Sequence, residues 1–107
     1  SIKADSVSIT NDPVKAVAGA DVVYTDTWVS MGQEADKQER IKAFKGFQVN
    51  AELLKSAPAN AKIMHCLPAY RGLEITDDMV ESPNSIIFDQ SENRLHFQRA
   101  LVKKLMS

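Results

Sequence analysis

His65-Cys66-Leu67-Pro68 puts an imidazole, the chain's only thiol and a proline side by side. The four residues follow Ala61-Lys62-Ile63-Met64, a short apolar run that reads as the end of a buried strand. Proline cannot continue a hydrogen-bonded ladder, so the strand must stop there and leave free backbone carbonyls at its tip. Two further stretches carry reactive groups. Asp26-Thr27-Trp28-Val29-Ser30-Met31-Gly32 offers a carboxylate and a hydroxyl. Asp89-Gln90-Ser91-Glu92-Asn93-Arg94 offers a guanidinium, which suits a phosphate or another anion. Gathered around one crevice, these groups would make a small-molecule site.

Each group also has a plainer reading. Asp26 fits a turn cap. Cys66 fits a small buried hydrophobe, although a strand end favours a place in a site. His65 would face away from Cys66 if strand geometry persists, which fits a packed, hydrogen-bonded histidine. Arg94 would lie near a helix start, where positive charge is disfavoured. A bound anion would remove that conflict, and simple solvation is the alternative. Trp28 and Phe97 read as packing residues, His96 as helix surface, and Asp77-Asp78 as capping and solvated.

These groups meet only if the elements carrying them run alongside one another. Residues 6–10 alternate polar and apolar, as a half-buried strand would. Asp12 then caps a helix opened by Pro13, with Val14, Val17 and Ala18 as its apolar face. Residues 21–25 form the most β-prone run in the chain. A polar helix is expected over 34–44, with Ser30 and Gln33 at capping-box spacing and Ile41 and Phe44 facing inward. A short helix over 50–55 precedes the strand that ends at His65, and a helical turn is expected over 76–80. Residues 85–89 read as a third buried strand. The last helix, about 92–106, carries Leu95, Phe97, Leu101, Val102 and Leu105 at helical spacing. Strands alternating with helices imply an α/β fold with a mostly parallel sheet flanked by helices. The C-terminal ends of parallel strands share one edge, where such folds bind ligands.

The chain has 107 residues, 44% of them hydrophobic and 25% charged, which fits one globular domain. A formal net charge of -1 argues against a nucleic-acid or membrane surface. Neither a bilayer-spanning stretch nor a signal peptide is visible, and a cytoplasmic location is expected. One cysteine excludes an internal disulfide. One cysteine and two distant histidines do not make a structural zinc site. No glycine-rich phosphate loop and no GxSxG elbow occurs. No metal and no cofactor is expected.

Asp26-Thr27-Trp28-Val29-Ser30-Met31-Gly32-Gln33-Glu34 resembles the ornithine-binding SMG loop of ornithine carbamoyltransferases. His65-Cys66-Leu67-Pro68 resembles the HCLP motif of that family, and Glu92-Asn93-Arg94 its third C-terminal signature. Aspartate carbamoyltransferases differ, with a proline in place of Cys66 and no SMG loop. The resemblance covers essentially all of this chain but only the C-terminal part of the family's protein. It implies that residues 1–107 are part of a Rossmann-like, C-terminal L-ornithine-binding domain. The amino-terminal Ser-Thr-Arg-Thr and His-Pro-x-Gln motifs are missing, so the chain is expected to be an inactive fragment of a homotrimeric enzyme.

The activity so implied is transfer of a carbamoyl group from carbamoyl phosphate to the δ-amine of L-ornithine. By resemblance, Asp26 and Ser30 hold the ornithine α-amino group and the Met31 backbone helps hold its carboxylate. Cys66 lies beside the reacting amine. The Cys66 and Leu67 carbonyls take the carbamoyl NH2, and Arg94 binds the carbamoyl phosphate oxygen. His65, Pro68 and Gly32 support the site, and the loop from Ser30 to Gln33 is expected to act as a lid. A stand-alone α/β binding or regulatory module is the alternative. A cysteine hydrolase using Cys66 and a histidine is a further one.

Overall fold

A computed structural model describes residues 6–29 and 36–107. Its first helix, α1, runs Pro13–Val17. Asp12 caps it by accepting the Lys15 N–H, and Pro13 opens it with a fixed φ. Strand β1, Val22–Thr25, is built from β-branched and aromatic residues. The helices α2, Lys37–Ala43, and α3, Ala51–Leu54, then lead to β2, Lys62–His65. A single turn, α4, spans Asp77–Val80, and α5 spans Ile87–Met106.

β1 and β2 pair in parallel, with Val23 opposite Ile63 and Thr25 opposite His65. Both strands therefore end on the same edge, carrying Asp26 and Cys66 just beyond it. Alternation sends Val23, Ile63 and His65 to the covered face of the sheet and leaves Val22 and Tyr24 on the open one. The covered face meets one apolar cluster of Val17, Val23, Val49, Leu53, Ile63, Ile75, Val80 and Ile87. The fold is α/β, a small parallel sheet flanked by helices.

Several expectations need correction. Residues 6–10 form no strand. Val7 and Ile9 stand in solvent, because no strand among the described residues receives them. Residues 85–89 are not a strand either. Ser85 makes one isolated bridge to Ile63, and helical bonding takes over when the Gln90 N–H reaches the Ile86 carbonyl. A short apolar run does not distinguish the two periods, and here the helical one wins. α5 thus begins at Ile87, five residues earlier than the spacing implies.

The face assigned to α5 is not core. Leu95, Phe97, Leu101, Val102 and Leu105 are all exposed, and Ile87 is the helix's buried residue. In α1 only Val17 is buried, while Val14 and Ala18 face solvent. Ile41 is half-buried, and Phe44 stays partly exposed while stacking on Trp28 at 5.8 Å between ring centroids.

Candidate active site

β1 delivers Asp26 to the sheet edge, and the turn after it fixes the carboxylate. The Thr27 N–H donates to Asp26 Oδ1 at 2.7 Å, and Thr27 Oγ1 donates to the Val29 carbonyl at 3.2 Å. β2 delivers Cys66 to the same edge. Its Sγ donates to the same Asp26 oxygen at 2.9 Å, across forty residues of sequence. The thiol hydrogen bond and the Thr27 N–H hold the Asp26 carboxyl below its ordinary pKa. The same bond, with partial burial and the Asp26 charge, pushes the Cys66 thiol up. At neutral pH the proton stays on sulfur, and the pair is a carboxylate facing a thiol.

His65 turns the other way, into the core, and is 1% exposed. Its Nδ1 accepts the Leu67 N–H at 2.8 Å, so the ring proton sits on Nε2 and is donated to Glu74 Oε1 at 2.9 Å. The same Glu74 oxygen accepts the Tyr70 N–H at 2.6 Å. Glu74 is wholly buried, and its Oε2 has no partner among the described residues. This pair braces the turn behind Cys66. Leu67 adopts φ 57, left-handed backbone that leucine rarely takes, and its N–H is the one held by His65. The Leu67–Pro68 peptide is cis. Further along, Gln48 Nε2 donates to the Gly72 and Leu73 carbonyls at 3.0 and 2.8 Å. Gly72 has φ 91, and its N–H closes the turn onto the Ile75 carbonyl. Arg71 pairs with Asp77 and with Glu81, fastening the segment to α4.

α5 forms the opposite wall. Gln90 Oε1 accepts the His65 backbone N–H at 3.2 Å, and Gln90 Nε2 donates to the Tyr24 hydroxyl at 3.1 Å. Arg94, one turn further on, lies on the same flank of the helix. Tyr24, His65, Cys66, Gln90, Ser91 and Arg94 line a concavity of about 360 Å³. No carboxylate among the described residues lies within ion-pair distance of the Arg94 guanidinium. A larger hollow of about 580 Å³ runs along the outer half of α5, between Leu95 and Lys103. It gathers no acid, thiol or imidazole and is the flank of one helix, so the smaller concavity is the better candidate.

The structure therefore brings Asp26 and Cys66 into contact and sets Arg94 and His65 on the concavity that Cys66 lines. Leu67 and Pro68 shape the turn that follows. Ser30, Met31 and Gly32, the capping pair Ser30 and Gln33, and the proposed lid lie outside the described residues. Arg94 sits about two turns into α5, not near its start, so the supposed conflict with the helix dipole does not arise. Sequence reasoning missed Tyr24, Glu74 and Gln90. Gln90 had a visible signal, four residues before Arg94 on the same helix face. Glu74 had a fainter one, a carboxylate between Leu73 and Ile75. Among the described residues no group of three or more His, Cys, Asp or Glu side chains could hold a metal ion. No helix among them is long and apolar enough to cross a membrane.

Residues 1–105 match the family model described as "Aspartate/ornithine carbamoyltransferase, Asp/Orn binding domain". The chain belongs to the aspartate/ornithine carbamoyltransferase family. The ornithine carbamoyltransferase of Methanosarcina mazei is 59% identical over 99 residues, which are 92% of this chain and 33% of that protein. The solved ornithine carbamoyltransferase of Pyrococcus furiosus superposes with a TM-score of 0.78 at 60% identity, over 85% of this chain and 29% of the other. The anabolic enzyme of Campylobacter jejuni does so with a TM-score of 0.81 at 42% identity, over 88% of this chain and 31% of the other. This carbamoyltransferase-family chain thus spans about a third of the length of the curated relatives it matches.

Proposed function

We propose that this chain supplies the amine-binding side of a site that transfers a carbamoyl group from carbamoyl phosphate to the δ-amine of L-ornithine. The products are L-citrulline and phosphate. The observation that carries the reading is the Asp26–Cys66 contact at the C-terminal edge of a parallel pair, facing Arg94 across one concavity, with no carboxylate among the described residues at ion-pair distance from that guanidinium. In this reading the chain is a partial C-terminal ornithine domain. The remaining length of a family member supplies the phosphate-binding motifs and the contacts of a homotrimer. A cytoplasmic place in arginine metabolism goes with it.

The chemistry needs a neutral amine, and the free δ-amine has a pKa near that of lysine, about 10.4. Removal from water lowers it. The amine nitrogen attacks the carbamoyl carbon, the new C–N bond forms, the C–O bond to phosphate breaks, and the proton shed by the amine is taken up by the departing phosphate. Asp26, with Ser30, holds the α-amino group, and the Met31 backbone takes part in holding the carboxylate. The Cys66 and Leu67 carbonyls accept the carbamoyl NH2. Negative charge gathers on the carbamoyl oxygen during attack, and Arg94 is placed to offset it.

Cys66 acts as a positioning group and not as a nucleophile. Its thiol is held protonated beside a carboxylate, and both ring nitrogens of His65 are already engaged. A cysteine hydrolase would need a thiolate with an imidazole free to assist it.

The test uses a polypeptide of full family length that carries these residues. Asp26→Asn and Cys66→Ala should each lower kcat/KM for citrulline formation by about 100-fold. Arg94→Gln should raise KM for carbamoyl phosphate as well. Normal citrulline formation by both of the first two variants overturns the assignment. The 107-residue chain alone should form no citrulline.

A further inference from the structure

Tyr24 stands on the open face of β1, two residues before Asp26, and is 55% exposed. An exposed tyrosine needs no partner inside the protein, yet this one has a fixed neighbour. Gln90 Nε2 donates to its hydroxyl at 3.1 Å. The amide cannot be turned over without loss, because Gln90 Oε1 accepts the His65 backbone N–H at 3.2 Å and an NH2 group there would face a donor. Gln90 is thus a donor toward Tyr24, and the Tyr24 oxygen is an acceptor toward Gln90. Among the described residues the phenolic proton has no other acceptor, and the hydroxyl lines the concavity where Cys66 also lies.

We propose that Tyr24 is a positioning residue of this site: its hydroxyl, aimed by Gln90, is a second hydrogen-bond partner of the Cys66 sulfur, opposed to Asp26. The assignment rests on Cys66 belonging to the transfer site proposed above. The titratable and charged groups facing Cys66 are Asp26 and Tyr24 from β1 and the turn after it, His65 from β2, and Arg94 from α5. Asp26 accepts the thiol proton and resists its loss. Tyr24 lines the same concavity as the sulfur and is the group that works against Asp26, easing the proton off. His65 is turned into the core with both nitrogens engaged. Two partners of opposite sense then fix the sulfur in direction as well as in charge, and Gln90 ties that setting to the helix that carries Arg94.

The chain has a single cysteine, so alkylation by iodoacetamide reads this one sulfur. The second-order rate is measured against pH for the 107-residue chain and for Tyr24→Phe, Gln90→Leu and Asp26→Asn, with circular dichroism as the check on folding. Tyr24→Phe should move the midpoint of the profile upward and slow alkylation at pH 7.5 about threefold. Gln90→Leu should move it the same way by less, and Asp26→Asn should move it down. The proposal is overturned if the Tyr24→Phe midpoint coincides with that of the parent or falls below it. It is also overturned if Gln90→Leu shifts the profile and Tyr24→Phe does not, because the amide would then act without the hydroxyl. No substrate enters the measurement, so its failure is separate from a failure of the citrulline assay.

Discussion

Glu74 receives the His65 ring proton and the Tyr70 N–H on one oxygen, in a place closed to solvent. Truncation to alanine would leave the imidazole proton and the amide without partners. Glu74→Ala should therefore cost about 3 kcal/mol in urea unfolding, and Glu74→Gln, which keeps an acceptor and the shape, should cost less. If the two cost the same, the carboxylate is not what matters there. The Asp26–Cys66 contact makes a prediction about pH. The Asp26 carboxyl is depressed from 3.8, so its contribution to stability is present above that value and is lost as pH falls through the lower folded value. The Cys66 thiol is raised from 9.0, so its contribution is present below that value and is lost as pH climbs through the higher folded one. Asp26→Asn should flatten both flanks of a plot of thermal midpoint against pH. The meeting of Cys66 and Asp26 was legible from their types and from where two β-prone runs end, whereas Arg94 comes to the concavity on a helix and not at the end of a third strand. Glu74 had only its place between Leu73 and Ile75 to mark it, because burying a carboxylate depends on a histidine nine residues away turning inward.

The elements differ in how far they could be read before the fold was known. β1 and β2 are short, β-branched and bounded by breakers, so pattern and structure agree. α1 and α3 announce themselves through Asp12 and Asn50, whose side chains cap them as their types suggest. The runs at 6–10 and 85–89 have the composition of strands, but strands exist by pairing, and composition says nothing about what lies alongside. Asn50→Ala should lower stability by about 1 kcal/mol through the lost cap. It should also loosen Gln48, which Asn50 Nδ2 contacts at 3.2 Å and which holds the Gly72 and Leu73 carbonyls. Faster amide exchange at residues 72–75 would show this, and unchanged exchange there would count against it. Ile63, wholly buried on β2 between β1 and Ser85, should cost about 2–5 kcal/mol as Ile63→Ala in the same unfolding assay.

The folded mass is concentrated around β2, and α5 leaves it. Every residue of α5 from Ser91 onward is exposed. Phe97→Ser and Leu101→Ser should thus change unfolding free energy by no more than about 0.5 kcal/mol, despite removing large apolar groups. A cost of several times that would mean that another surface covers the helix in solution. The spacing of Leu95, Phe97, Leu101, Val102 and Leu105 speaks truly of an apolar flank, but not of what lies against it, which is why an amphipathic pattern was readable and its burial was not. The geometry has a mechanical side. A 20-residue helix is about 30 Å long, and among the described residues this one is gripped at its root, from Ile87 to Gln90. Arg94 stands about 10 Å from that pivot. Any push that swings the free tip sideways reaches the guanidinium reduced to about a third. α5 is a lever whose short arm ends on the concavity that Cys66 lines, gearing coarse movement far away down to a fraction of it at the guanidinium.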